Sequence, residues 1–471
     1  TVESDTSAVQ FREFEVYGTA GEGSEETDVS DIPTDQVSPD GSMSLRGNPS
    51  FSRNSLPSNV RTLYDDFWYS LNDSYPSLES ASKSSNQYHY GRTLYQGMFM
   101  ISTAFRQTGD LALLDRMYEL SKNTYDQLDD DWTRGTISPY NDTHIRKNIF
   151  RTDGYRNWRY LYNCDVGGSN RYCGRDNHLL EESLSSGMVA STMYALHLNR
   201  DLQSPKGYNY GRMADDWLDY LRNDFEAKWR DRYDREWPEM PYFSRYFTHT
   251  NAANLKTNYY MGLVLRDKGD SRASVYLAQA ERMSKEIFEE PHIPSGSNAQ
   301  AGGFVQTQTP LGPAYIWAFG TPFNYGINSV SATPAVYSRY FLAMAAELHF
   351  DGMNRFTEDT MRKLSRTVAY FILDTDPPFS SSTSMLAADV IGGDGDGKKT
   401  VSGMQSTSYR GRNNPNRYAI STFGVYGLWD DSGRINRITN AVYSAISTRR
   451  RVVQLNGSRF ITAFDEAMSS N

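Results

Sequence analysis

Two stretches, Ser186-Gly-Met-Val-Ala-Ser-Thr-Met-Tyr-Ala195 and Leu277-Ala-Gln-Ala-Glu-Arg-Met-Ser-Lys-Glu-Ile287, decide how this chain folds. The first places small or apolar residues on nearly every side of a helix and reads as buried. The second sets apolar residues at helical spacing against a charged face and reads as half-exposed. The contrast recurs along the chain in pairs separated by Gly/Asp turns. Tyr95 to Arg106 turns at Gly109-Asp110 into Leu111 to Leu128, and Ser186 to Asn199 is followed by Met213 to Trp229. Asn251 to Leu265 turns at Gly269-Asp270 into Arg272 to Phe288, and Thr333 to Phe350 turns at Asp351-Gly352 into Thr357 to Leu373. Tyr418 to Leu428 with Ile435 to Thr448 forms a fifth pair. Five helix–turn–helix units predict an all-α fold, with buried helices ringed by amphipathic ones. An α/α toroid, complete or incomplete, satisfies both patterns. An open solenoid calls for shorter and more even repeats.

The chain has 471 residues, 38% hydrophobic and 22% charged, with a formal net charge of −9. Eleven acidic residues and Arg12 alone among the cations lie in residues 1–40, so the remainder is close to neutral. That balance gives no basic excess for nucleic acid. No stretch approaches the ~18 apolar residues of a membrane span. Residues 1–56 are read as an acidic extended arm and residues 57–471 as the toroid. Cys164 and Cys173 bracket a Gly-containing loop that suits a short disulfide, with two free thiols as the other reading. With sequons at Asn72, Asn141 and Asn456, the expected location is secreted or periplasmic.

Long loops at 129–180, 230–250 and 289–332 gather aromatic, Arg, Asn and His residues. Loops of that length in a compact domain are usually functional. Arg175-Asp-Asn-His178 and Arg245-Tyr-Phe-Thr-His-Thr-Asn251 each stand just before a buried helix, and Tyr315 to Tyr325 precedes Tyr337-Ser-Arg-Tyr340. A toroid would bring these to one end. They are the residue types that β-elimination from a uronic acid requires. The C5 proton lies α to a carboxylate and is weakly acidic, so an Asn, Arg or protonated His must take up the charge that develops there. A His or Tyr removes the proton, and a Tyr or His returns one to the leaving O4.

This arrangement resembles the α/α-toroid polysaccharide lyases that cut alginate, glucuronan and related uronates. The resemblance covers roughly residues 60–450 as architecture and rests on Asn177-His178, His249 and the Tyr-rich loop. It implies Asn177 as carboxylate neutraliser, His249 as base and Tyr315, or secondly Tyr325, as acid or base, with His178 also in the catalytic group. Substrate-binding candidates are His89, Arg92, Arg245, Tyr246, Asn251, Trp317, Tyr325, Tyr337, Arg339, Arg410 and Arg412. The implied partner is an anionic polysaccharide; no cofactor or metal is expected. His144, His197, His292 and His349 are left to structural roles.

Rival readings remain. An α/α-toroid glycoside hydrolase would use two carboxylates, such as Asp234 with Glu236 or Asp153 with Asp176. A non-catalytic glycan-binding protein would keep the aromatic cleft alone. The run Asp389 to Lys398 lacks the terminal Glu of an EF-hand loop and reads as Gly-rich surface. Serine-hydrolase, zincin and P-loop motifs are missing from the sequence.

Overall fold

The computed structural model describes residues 43–128, 154–158, 179–236, 248–288, 304–317, 335–373, 422–445 and 452–469. Over these the protein is predominantly helical, as the paired pattern predicts. The helices are α1 (Ser58–Ser82), α2 (Tyr95–Thr108), α3 (Leu111–Tyr125), α4 (Leu179–Leu198), α5 (Tyr210–Tyr220) and α6 (Ala227–Glu236). They continue as α7 (Thr248–Asp267), α8 (Ala273–Phe288), α9 (Ala335–Phe350), α10 (Glu358–Thr367), α11 (Arg434–Ala445) and α12 (Val453–Ser469). None of the described helices is long and apolar enough to cross a membrane.

The burial contrast read from sequence is physical. Every residue of α2 is buried, and α7 is buried from Thr248 through Leu265. By contrast α3 and α8 turn only one face inward. Among the inner helices, α4 packs on α2 and α7, α7 on α9, and α12 on α2, while α3, α5, α8 and α10 lie against their own partners. The approach of α4 to α7 is close, since a Cβ on Gly187 would lie 3.2 Å from the Ala253 carbonyl oxygen. Residues at the start of α7 meet residues at the start of α9, and Tyr260 and Asp351 meet at their far ends. These helices therefore run the same way.

Four of the predicted turns use a left-handed glycine. After α2, Gly109 takes a left-handed φ of 64° and its N–H bonds to Phe105 O at 2.7 Å. Asp110 then caps α3 by accepting from the Ala112 N–H at 2.9 Å. Gly269, Gly352 and Gly433 hold the same left-handed conformation in three later turns.

Four features depart from the sequence reading. Helix α4 starts at Leu179 rather than Ser186, because Leu179, Leu180 and Leu184 extend its buried face by two turns. The 289–332 loop contains an antiparallel hairpin, β1 (Phe304–Thr309) with β2 (Gly312–Trp317), in which Phe304 faces Trp317. Its alternating Phe-Val-Gln-Thr-Gln-Thr run has the period of a strand. Within the expected helix Tyr418 to Leu428, the described part is a 3-10 turn, Phe423–Trp429. Gly424 and Gly427 weaken a helix there, and a Cβ on Gly424 would come within 2.5 Å of Ser458. Finally, the described end of the acidic arm is docked. Met43, Leu45 and Leu56 are buried, the Ser44 N–H bonds Arg106 O at 3.2 Å, and Asn199 Nδ2 donates to Leu45 O at 2.7 Å. The expected boundary at residue 56 thus runs through packed chain, while residues 1–42 lie outside the described residues.

Gly109 tests this docking. A Cβ there would sit 2.6 Å from the Asn48 backbone nitrogen and would occupy a left-handed φ. Gly109→Ala is expected to cost about 1–3 kcal/mol in urea unfolding and to open the 43–56 segment to limited proteolysis.

Candidate active site

Four inner helices begin at one end of the protein, and their first turns carry the polar groups that meet there. A π-helical turn, Tyr90–Leu94, precedes α2 and supplies Arg92. Such turns often mark functional positions in helices. The first turn of α4 supplies Glu181, that of α7 supplies His249, and α9 supplies Tyr337, Arg339 and Tyr340.

His249 is fully buried and stacks on two tyrosines, with its ring centroid 4.9 Å from Tyr337 and 6.2 Å from Tyr340. The Arg92 guanidinium lies 5.6 Å from the centre of each of those rings and 5.5 Å from that of Tyr88. On its other side Arg92 donates through Nε at 3.1 Å and Nη2 at 2.6 Å to a single oxygen, Glu181 Oε1. Arg339 donates to the Tyr340 hydroxyl at 2.8 Å and lies over that ring at 4.8 Å.

Charge in this cluster is set by burial. Desolvation, reinforced by the nearby Arg92 charge, holds His249 well below the ordinary histidine range, so the imidazole is neutral near pH 7. Burial opposes the charge on Arg92, but Glu181 and the two tyrosine hydroxyls more than offset it and push its pKa up. Burial raises the Glu181 carboxyl, and Arg92 offsets only part of that rise.

Two further charge pairs lie deeper among the inner helices. Lys256 Nζ bonds Glu347 Oε2 between α7 and α9, both side chains sealed from solvent. Lys256 stands two helical turns from His249, about 10 Å along α7. At the far end Arg106 makes two 2.6 Å bonds to Asp351, which also accepts from Tyr260 at 2.5 Å. Beside them Tyr194, Tyr259, Arg266 and Glu281 line a small pocket. It is separate from the His249 cluster.

The structure brings His249, Arg92, Tyr337 and Arg339 together from three separate stretches of sequence. Asn251 is buried one turn-fraction along α7 from His249, and His89 is half-buried against the edge of Tyr88 at 5.9 Å. Tyr315 has a different neighbourhood. It packs edge-on to Phe288 and Phe304, and Lys363 Nζ from the outer helix α10 sits 5.2 Å from its ring centre. Tyr315 and Trp317, two residues apart on β2, share one face: Phe304 meets both rings, and Trp317 is sealed against Phe341 while Tyr315 stays half-buried near α10. The tyrosines stacked on His249 are Tyr337 and Tyr340 instead. Asn177, His178, Arg245, Tyr246, Tyr325, Arg410, Arg412, Cys164 and Cys173 lie outside the described residues, as do Asp153 and Asp176. Asp234 and Glu236 fall on α6.

His197 and His349 serve as structural ties, as expected. His197 Nδ1 lies 3.3 Å from Arg200, and His349 Nδ1 lies 2.5 Å from Phe356 O, each beyond the end of an inner helix. Glu181, Tyr340, Lys256 and Glu347 were not singled out from sequence as site residues. A signal was available for two of them: Lys256 is the one charge between Thr248 and Leu265, and Glu347 is the one acidic residue of α9.

Comparison with protein-family models, with curated proteins and with solved structures finds no match for this chain.

Two outcomes follow from the buried charges. Lys256→Met leaves Glu347 buried without its cation and should cost about 3–5 kcal/mol in urea unfolding, most of it recovered in Lys256→Met/Glu347→Leu. His249 resists protonation in the fold, whereas the unfolded chain takes up its proton near the ordinary value of 6.5. The unfolded state then binds more protons as pH drops below that value, so stability falls by up to about 1.4 kcal/mol per pH unit. Unfolding measured from about pH 7 to about pH 5 should show a shallower decline in His249→Gln.

Proposed function

We propose that the protein is a polysaccharide lyase that cleaves a uronic-acid polymer, alginate or glucuronan in type, by β-elimination. The observation that carries this reading is a neutral, buried His249 stacked on two tyrosines beside the Arg92 guanidinium, where four helix N-termini converge. The N-terminal ends carry partial positive charge and, with Arg92, favour an anionic ligand.

In this reading Arg92 meets the substrate carboxylate and stabilises the charge that develops as C5 loses its proton. His249 Nε2 or Nδ1 takes that proton in its neutral form. The C5–H electron pair forms the C4=C5 double bond as the C4–O4 bond breaks, and Tyr337, half-buried where Tyr340 is sealed, gives a proton to the departing oxygen. Tyr337 recovers its proton from the imidazolium or water before the next turnover. Asn177 and Arg245 stand as further carboxylate-binding candidates, and Trp317 remains a candidate only through its neighbours on the hairpin.

The architecture proposed with this activity is a closed α/α toroid. Its support is the succession of packed inner helices, α2 on α4, α4 on α7 and α7 on α9, with α12 returning to α1 and α2. Tyr64 and Phe460 join the two ends at 4.9 Å, and Gln107 Nε2 donates to Ile461 O at 2.7 Å. A secreted or periplasmic location fits a polymer substrate.

Ultraviolet absorbance on a panel of alginate blocks, glucuronan and other uronans tests the activity, because elimination creates a conjugated double bond and hydrolysis does not. Rising absorbance is expected on at least one polymer, with His249→Ala and Tyr337→Phe each lowering kcat by about 10²-fold or more. A flat trace with new reducing ends would indicate a hydrolase. A flat trace with neither, alongside retained polymer binding by His249→Ala, would indicate a binding protein.

A further inference from the structure

We propose that Glu181 is a positioning residue, which clamps Arg92 against the Tyr337 and Tyr340 rings and thereby fixes the cation beside His249 without touching substrate. This deepens the lyase reading and, for its kinetic arm, rests on it.

The geometry separates the two roles. The Arg92 side chain keeps 18% of its surface open to solvent, while Glu181 keeps 2%, so a ligand arriving from outside reaches the guanidinium and not the carboxylate. Both donors of Arg92 converge on Oε1, which fixes the plane of the guanidinium as well as its distance. A lysine in its place would offer one point charge and no such plane. Glu181 Oε2 is buried with no hydrogen-bond partner among the described residues, and it lies where a Cβ on residue 91 would come within 2.8 Å. Gly91, one residue before Arg92, is therefore the space that admits the carboxylate. The neighbouring Glu182 faces the other way, accepting from Lys228 at 2.5 Å, Trp229 at 2.8 Å and Tyr220 at 3.1 Å. That second anchor holds the first turn of α4 in place from outside, so Glu181 presents its oxygen from a fixed backbone.

Among the described residues, the charged and titratable groups of this cluster with His249 are Arg92 before α2, Glu181 on α4, and Tyr337, Arg339 and Tyr340 on α9. Of these, the Arg92 charge bears directly on the imidazole. Moving Arg92 therefore changes where His249 titrates, whereas a purely structural role for Glu181 would not.

The test uses the full chain labelled with ¹⁵N-histidine, the His249 resonance being assigned by its loss in His249→Gln. Wild type should keep His249 neutral to lower pH than Glu181→Ala, in which the freed guanidinium leaves the rings and the midpoint rises by about one pH unit. Glu181→Gln keeps an acceptor for Arg92 and should show no rise. An unchanged midpoint in a folded Glu181→Ala overturns the proposal. If that variant does not fold, Glu181→Asp withdraws the carboxylate by one methylene, and its failure to raise the midpoint overturns the proposal equally. The lyase assay adds a separate arm: Glu181→Ala should lower kcat and shift the acid limb of the pH profile, with Glu181→Gln close to wild type. No absorbance from wild type with the resonance shift intact would sink the lyase reading alone. Absorbance without the shift would sink the positioning role alone.

Discussion

Lys256 and Glu347 are sealed between α7 and α9, and either charge alone in that place would be several kcal/mol less stable than in water. The two helices are therefore held at the register that puts these side chains opposite one another. One step of 1.5 Å along α7 would carry Lys256 around the helix by 100°, away from its partner. That register also decides what meets at the helix starts. With Lys256 facing Glu347, residues two turns earlier on α7 and two to three turns earlier on α9 face each other too, and these are His249 with Tyr337 and Tyr340. Toward the other end it brings Tyr260 to Asp351 and Arg106. A single buried pair thus sets the geometry of a catalytic candidate above it and a structural knot below it.

The same arithmetic governs the inner helices as a group. Arg92 with Glu181 joins α2 to α4, Lys256 with Glu347 joins α7 to α9, and Arg106 with Asp351 joins α2 to the end of α9. Apolar burial drives these helices together, but it is non-directional and tolerates sliding. The ion pairs are directional, and each is strongly unfavourable to break. Replacing all of them with well-packed apolar residues need not weaken the fold. What they supply is a particular alignment, and the Gly187–Ala253 contact between α4 and α7 supplies another through close backbone approach.

Much of this was legible in the sequence. The alternation of small-and-apolar with one-faced helices, and the Gly/Asp turns between them, fixed the class and the starts of most pairs. His249, Arg92, Tyr337 and Arg339 were recognisable because each stands at the entry to a buried helix, where a polar side chain lacks the solvent it would otherwise prefer. The choice of Tyr315 went elsewhere for a local reason. Tyr315 stands midway along β2 on the same face as Trp317, where its ring meets Phe288, Phe304 and Lys363. Nothing in the spacing of 33 tyrosines distinguishes one that stacks on a histidine from one that caps a hairpin. Helices α1 and α12 escaped a specific reading because their pairing joins opposite ends of the chain, and no local pattern reports on a partner nearly 400 residues away.

The electrostatics of the helix starts are balanced in a way that favours the proposed chemistry. Glu181 already satisfies one side of Arg92, so the free protein does not hold an uncompensated cation beside the imidazole. Burial, reinforced by the Arg92 charge, keeps the neutral form of His249 as the resting form, ready to accept a proton without first losing one. A substrate carboxylate arriving at the exposed side of Arg92 would add negative charge near the ring, and added negative charge makes an imidazole more basic. The base would therefore strengthen when the anionic substrate is in place and stay weak when it is not. A neutral sugar would bring no such charge. In the proposed reaction, discrimination in favour of uronates would follow from the carboxylate-binding Arg92 acting on the base His249, without a separate recognition element.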